Sequence, residues 1–363
     1  ALAVNTLLCA GIIAATCGLI FWLADAVAVA LAGSIFLALG SAVLLKGSAL
    51  YRMLGNASAI VGAGMLIGGA GIELVDKYRE IAEPIMVLGG AAVAAATYYV
   101  FAKGRAALGF AAGSVMLMGG ALHLAGVALM FENEGGLTPV LVNGYAAVLI
   151  AAAGILVNVR LITALAIAPF AQMLDTGTQY WHAAYAFYSP ESTLTILQMG
   201  TLIAACVWAS TQVTDRFARH AGILAIMAAV VANLAFLVGS LWGDHVGASF
   251  YDLPGWDRDL SYGENTDIRA AFRAQFFTIS ENVYSIVWAV LLAVAAFWAA
   301  HANRRGLFNA AMTFAGIHAY TQMFETMAVD PLAYAVGGLA AIPLAWGMWR
   351  LNQYLKTRTI EVS

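Results

Sequence analysis

The sequence predicts an all-α, polytopic transmembrane helical bundle of about twelve spans, and three observations predict it. Hydrophobic residues fill 62% of the 363 positions and charged residues 10%, against roughly 25% charged in an ordinary soluble domain. Apolar runs of about 20 residues, the length needed to cross the hydrocarbon core at 1.5 Å per residue, recur along the whole chain. The charges gather between those runs. A net charge of −3 with no basic cluster gives no reason to expect nucleic acid as a partner.

The hydropathic spans fall near residues 3–24, 26–45, 54–75, 84–102, 106–131, 138–158, 159–180, 193–212, 220–243, 278–300, 306–325 and 331–350. Asp25 alone separates the first two, so they read as a helical hairpin. The third, fourth and fifth carry glycine in their interiors, as in GAGMLIGGAG (62–71) and GFAAGSVMLMGGALHLAG (109–126). Small residues four apart let helices approach closely, which matters in lipid because apolar surface gains nothing by leaving it. The seventh contains Pro169, whose missing N–H predicts a kink, with Thr176, Gly177 and Thr178 placed to unwind its outer end. The last two form a second hairpin: Arg304 and Arg305 open it, Glu325 and Asp330 mark its turn, and Arg350 closes it. No stretch reads as a strand, and the chain reads as one transmembrane helical domain. The repeat of Arg52, Asn56, Glu73, Pro84 and Gly89-Gly90 as Arg304, Asn309, Glu325, Pro331 and Gly337-Gly338 suggests a duplicated hairpin.

Sorting charges by alternate connections places 12 of the 17 bases on one side and 18 of the 20 acids on the other. Under the positive-inside rule the basic side is cytoplasmic, which puts both chain ends in the cytoplasm. Cys9, Cys17 and Cys206 all lie in apolar runs and form neither a disulfide framework nor a metal spacing. The chain opens without methionine or a basic flank, so further residues are expected upstream.

Candidate site residues gather toward the outer ends of the spans. His318, Gln322 and Glu325 follow i, i+4, i+7 spacing and share one helix face. With His123, Gln172, Asp175 and Glu73 they outline a candidate outward-facing vestibule; ordinary hydrogen bonding between helices is the competing explanation. No cofactor is indicated, and a haem held between His123 and His318 has no further support. HExxH, GxSxG, Walker and dinucleotide motifs are all missing, so catalysis is not expected. The longest connection, 244–277, interleaves acids with aromatics. Its residues Tyr251, Trp256, Asp257 and Tyr262 are candidates to face a partner. Thr266 is the expected N-cap of an interfacial helix with Ile268, Phe272 and Phe276 on one face. The loop is expected to fold over the bundle and bury its aromatics against protein or headgroups.

The closing run, with Asn309 after the arginines, the TQMFE end and DPLAYAVGGLAAIPLAWGMWR, resembles the last hairpin of a bacterial family of predicted membrane proteins. That family is the domain of unknown function two-one-five-seven, with its relatives. Where the family usually has an aromatic pair before the glutamate, this chain has Met323-Phe324. The resemblance implies an inner-membrane location and a protein partner, and no catalytic residues. Two functions follow as expectations: a non-enzymatic scaffold or accessory subunit holding a partner at its outer face, or permeation of a small solute through the vestibule. The lipid bilayer is a partner in either case.

The topology is directly testable. Single cysteines at Glu134 and Asp257 are expected to react with an impermeant thiol reagent from outside the cell, and one at Arg304 is expected not to; reversed labelling overturns the orientation.

Overall fold

The computed structural model describes residues 2–47, 51–174, 179–181, 185–188, 191–251 and 253–327, with isolated helical positions between 335 and 353. Half of the twelfth expected span, 331–350, and Asp330 before it therefore lie outside the described residues. The chain divides into two compact units, Ala1–Val157 and Asn158–Ser363.

The first unit contains α1 (Leu2–Leu23), α2 (Ala26–Lys46), α3 (Arg52–Lys77), α4 (Arg79–Lys103), α5 (Gly109–Met130) and α6 (Thr138–Leu156). Asp25 caps α2 through the Ala28 amide at 2.7 Å, satisfying an amide that the helix itself cannot use. The tight pairs are α2 with α3 and α4 with α5. Spans three and four, which the repeat treats as one hairpin, each pack most closely against a different neighbour. Asn56 and its counterpart differ too, the first half-buried and Asn309 exposed.

Glycine sets both tight contacts. A Cβ at Gly33 would lie 2.5 Å from the Leu66 amide, one at Gly62 would lie 2.6 Å from the Gly33 carbonyl, and one at Gly40 would lie 2.7 Å from the Gly55 carbonyl. The partners step backwards along α3 as they step forwards along α2, so the helices run antiparallel with backbone against backbone. Between α4 and α5, Gly90 meets the Gly119 carbonyl and Gly126 meets the Val87 amide in the same way. The buried set is correspondingly small in size, with Ala59, Ala63, Ala111 and Ala112 inside, while Leu31, Ile35 and Leu39 form an outward stripe on α2 at 63%, 62% and 58% exposure. That pattern inverts a water-soluble protein and suits a lipid surround.

The second unit contains α7 (Arg160–Leu165), α8 (Ile167–Gln172), β1 (Gln179–Trp181), β2 (Tyr185–Tyr188), α9 (Ser192–Gln212), α10 (Asp215–Trp242), β3 (Asp244–Val246), α11 (Tyr262–Arg273), β4 (Phe277–Ile279), α12 (Glu281–His301) and α13 (Arg305–Met327). Eight of the described helices, α2 to α6, α9, α10 and α12, are long and apolar enough to cross a membrane. The helix expected over 306–325 forms as α13, but Asn309, His318 and Gln322 keep it less apolar than those eight.

Span seven departs from the sequence reading. It is two six-residue helices broken at Ala166, followed by an antiparallel pair of strands where none was expected. Pro169 explains the break, since its ring crowds the carbonyl four residues back, at Leu165, and it supplies no N–H to it. The thirteen residues from Arg160 to Gln172 are about 20 Å long, short of the roughly 30 Å core. The connection still crosses: Thr163 bonds His220 near the start of α10, Ile167 and Ala171 pack against Ala228 and Ala232, and Glu191 reaches Ser249 beyond the far end of α10. Arg160, Arg219 and Arg304 therefore gather at one end of this unit, and Glu191, Asp244 and Glu281 at the other. The residues 176–178 that were expected to unwind lie outside the described ones.

Because the α2–α3 contact is backbone against backbone, Gly62→Ala is expected to cost about 1–3 kcal/mol through overpacking. Gly68→Ala, which meets open space, is expected to leave stability unchanged or slightly raised. Thermal unfolding midpoints of the two variants in the same detergent make the comparison.

Candidate functional site: an anchored loop at the acidic end

The residues expected to form a vestibule are placed as follows. Glu73 and His123 belong to the first unit, and Gln172, His318, Gln322 and Glu325 to the second; Asp175 lies outside the described residues. Glu73 sits in the last turn of α3, 2.6 Å from Lys77 in an i,i+4 ion pair. His123 uses both ring nitrogens, with Nδ1 2.8 Å from the Val87 carbonyl and Nε2 2.6 Å from the Tyr145 hydroxyl. A carbonyl can only accept, so Nδ1 carries the proton and Nε2 accepts from Tyr145. His123 thus ties α5 to α4 and α6.

His318 lies edge-on against Trp288, ring centres 4.7 Å apart, and Trp288 donates to Asn233 at 2.7 Å. The ring faces the bundle, as expected for a group that finds no hydrogen-bond partner in lipid. Gln322 is half-buried on the same helix, and Glu325 is exposed one turn further on. Gln198 is buried and donates to the Phe170 carbonyl at 2.6 Å, tying α8 to α9.

The most developed polar arrangement is one the sequence reading did not single out. Asp244, first residue of β3, is buried, and its carboxylate accepts four hydrogen bonds. Oδ2 accepts from the Thr193 amide at 2.7 Å, the Thr193 hydroxyl at 2.5 Å and the Tyr284 hydroxyl at 3.1 Å, and Oδ1 accepts from the His245 amide at 2.8 Å. Thr193 is in the first turn of α9, so Asp244 supplies from another part of the chain the acceptor that a helix start requires. Beside it, Glu191 is also buried and accepts from Ser249 at 2.6 Å. Gly243 makes the turn that brings Asp244 in: its φ is +65°, and a Cβ there would lie 2.7 Å from the Ile279 carbonyl. In the sequence Asp244 is only one acid of the connection 244–277, and nothing local marks a carboxylate whose side-chain partners are 51 and 40 residues away.

From this anchor the loop 244–277 is built as a fixed body. β3 and β4 pair antiparallel, Asp244 with Ile279 and Val246 with Phe277. The helix starts earlier than expected: Ser261, not Thr266, is the N-cap of α11, and it forms a capping box with Glu264. Thr266 sits inside the helix and donates back to the Tyr262 carbonyl at 2.8 Å. The Ser261 hydroxyl and amide both donate to the Glu264 carboxylate at 2.6 and 2.9 Å and hold its pKa below the ordinary value, the hydroxyl contributing most. Asn265 is buried under the preceding turn, accepting from the Asp257 amide at 2.9 Å and donating to the Asp257 carbonyl at 2.8 Å. Arg269 stacks over Trp256 at 5.3 Å and donates to the Pro254 carbonyl at 3.2 Å.

Of the two covers expected for the aromatics, protein or headgroups, the fixed body does not supply the first for three of them. Tyr251, Trp256 and Tyr262 are 64%, 48% and 77% exposed, with Asp257 exposed among them. Phe272 and Phe276 are half-buried and stack on each other, with Tyr251 against Phe276. Phe276 lies past the end of α11, so the expected three-residue stripe on one helix face is interrupted.

The helices, their lipid-suited surfaces and the separation of charge between their ends define a polytopic α-helical membrane protein. No family model, curated protein or solved structure matches the chain. Among the described residues, no three His, Cys, Asp or Glu side chains come together as a metal site.

The anchor yields a clear expectation. Asp244→Ala leaves a helix amide without its acceptor and the Thr193 and Tyr284 hydroxyls, 2.6 Å apart, with only each other, and is expected to cost about 2–4 kcal/mol, whereas Tyr284→Phe removes one hydroxyl and is expected to cost about 1 kcal/mol. Unfolding in detergent measures both, and faster hydrogen exchange over 244–250 locates the effect.

Proposed function

We propose that this membrane protein is a non-enzymatic scaffold or accessory subunit of a bacterial inner membrane that holds a protein partner on the outer face through the loop 244–277. One observation carries the reading: the loop is fixed by a buried carboxylate, a strand pair and a capped helix, yet Tyr251, Trp256 and Tyr262 stay exposed. Exposed aromatics on a rigid frame bind with little loss of conformational entropy, and such side chains dominate interface energetics. Asp257, Asp259, Glu264 and Asp267 surround them and are exposed, so the complementary surface is basic at its rim and apolar at its centre.

Permeation of a small solute is the second reading, and the broken span seven favours it, because interrupted helices are where transporters place their substrates. A single cysteine at Gln172 that reacts from outside with a small impermeant reagent would support that reading.

The docking reading is tested by purification in mild detergent followed by mass spectrometry and hydrogen exchange on any complex. Protection is expected at Tyr251–Tyr262 in the complex, and Trp256→Ala with Tyr262→Ala is expected to weaken it by at least about 30-fold, the loss of one hot spot. A complex retained by the double variant, or one protected elsewhere, overturns the proposal.

A further inference from the structure

The opposite end of the second unit holds a different kind of site. A cavity of about 730 Å³ opens between the start of α10, the end of α9, Arg160 of α7 and the turn from α12 into α13. Four arginines line it, Arg160, Arg219, Arg304 and Arg305, against one carboxylate, Asp215. They come from three separate parts of the chain, so their convergence is a product of folding and not of a local run of bases. Arg304 is half-buried and held in place by a hydrogen bond to Ser210 at 3.0 Å.

Two further features fix the geometry. His220, fully buried next to Arg219, binds the Thr163 hydroxyl at 2.7 Å and Asn158 at 3.3 Å, which locks α7 onto α10 and sets the distance between Arg160 and Arg219. Asn303, with φ of +54°, makes the turn that delivers Arg304 and Arg305 to the rim. The wall below the arginines is apolar, formed by Val207, Ile223, Ile226 and Leu307. A guanidinium fork matches the oxygens of a phosphate, and a cluster of them between membrane helices matches a phosphate at headgroup depth.

We infer that this cavity binds a phosphate group, carried on an anionic phospholipid whose acyl chain lies along the apolar wall. Arg160, Arg219 and Arg304 are the contacting residues, and His220 is a positioning residue. The apolar wall favours the lipid over a soluble phosphate, which would leave that wall without an occupant. The inference does not rest on the docking reading, since it concerns the other end of the unit.

The test is native mass spectrometry of the whole chain, delipidated in mild detergent and titrated with phosphatidylglycerol, phosphatidylcholine or inorganic phosphate. Phosphatidylglycerol is expected to bind at least about tenfold tighter than phosphatidylcholine, weakening with salt. Arg160→Gln with Arg219→Gln is expected to lose that preference, whereas Asp215→Asn, which removes the cavity's carboxylate, is expected to strengthen it. Displacement of phosphatidylglycerol by millimolar inorganic phosphate would keep the phosphate site and assign it to a soluble ligand. Equal binding of the two lipids with no effect of inorganic phosphate, or a phosphatidylglycerol preference unchanged in both variants, overturns the inference. Should the double variant fail to fold, the direction of the Asp215→Asn effect decides.

Discussion

Helices inside a bilayer gain nothing by hiding leucine from lipid, and the rest of this structure depends on that constraint. Association must come from contact itself, and contact is closest where side chains are missing. The α2–α3 and α4–α5 pairs meet the constraint with glycine against backbone at several successive turns, at distances no Cβ would tolerate. Large side chains are then free to turn outward, which is why the exposed set reads leucine, isoleucine and valine while the buried set reads alanine and glycine.

The same constraint raises the stakes for every polar group among the helices. A hydroxyl or amide in lipid has no water to fall back on, so a partner within the protein is worth more there. His123 finds such partners by taking a backbone carbonyl with one nitrogen and a tyrosine hydroxyl with the other. Trp288 does so through Asn233 while packing its face with Phe236 and its neighbour His318. These contacts link three helices at a time and fix rotations about the helix axes that glycine packing alone leaves loose.

Composition and charge made the class of protein legible, because bilayer thickness and the cost of a buried charge act on every residue in the same way. Expected spans one to six and eight to eleven coincide with helices to within about five residues, and the separation of bases from acids in the sequence is the separation of the two ends of the second unit. Non-local structure was not legible. Pro169 announced a kink, but not the paired strands Gln179–Trp181 and Tyr185–Tyr188 that follow it. Thr266 looked like a cap because it precedes a helical pattern, and Ser261 outcompeted it because Glu264, at the third helical position, completes the reciprocal bonds. Asp244 and Glu191 had no local signature, since the side chains that bond their carboxylates lie 40 or more residues away.

The two candidate sites share one element. At 28 residues α10 is about 42 Å long, longer than the roughly 30 Å hydrocarbon core, so both its ends project to headgroup depth whatever its tilt within the ordinary range. Its first turns carry Asp215, Arg219 and His220, and the residues just past its last turn are Gly243 and Asp244. Charged groups at those positions stay within reach of water or headgroups while the apolar middle stays in lipid, and each end is then fixed by partners from elsewhere in the chain. His220 draws in the short α7, and Asp244 draws in the start of α9 and, through Tyr284, the start of α12. A helix longer than the membrane, tied at each end by a polar residue to a different neighbour, is what allows an acidic loop and a basic cavity to be held on one rigid axis.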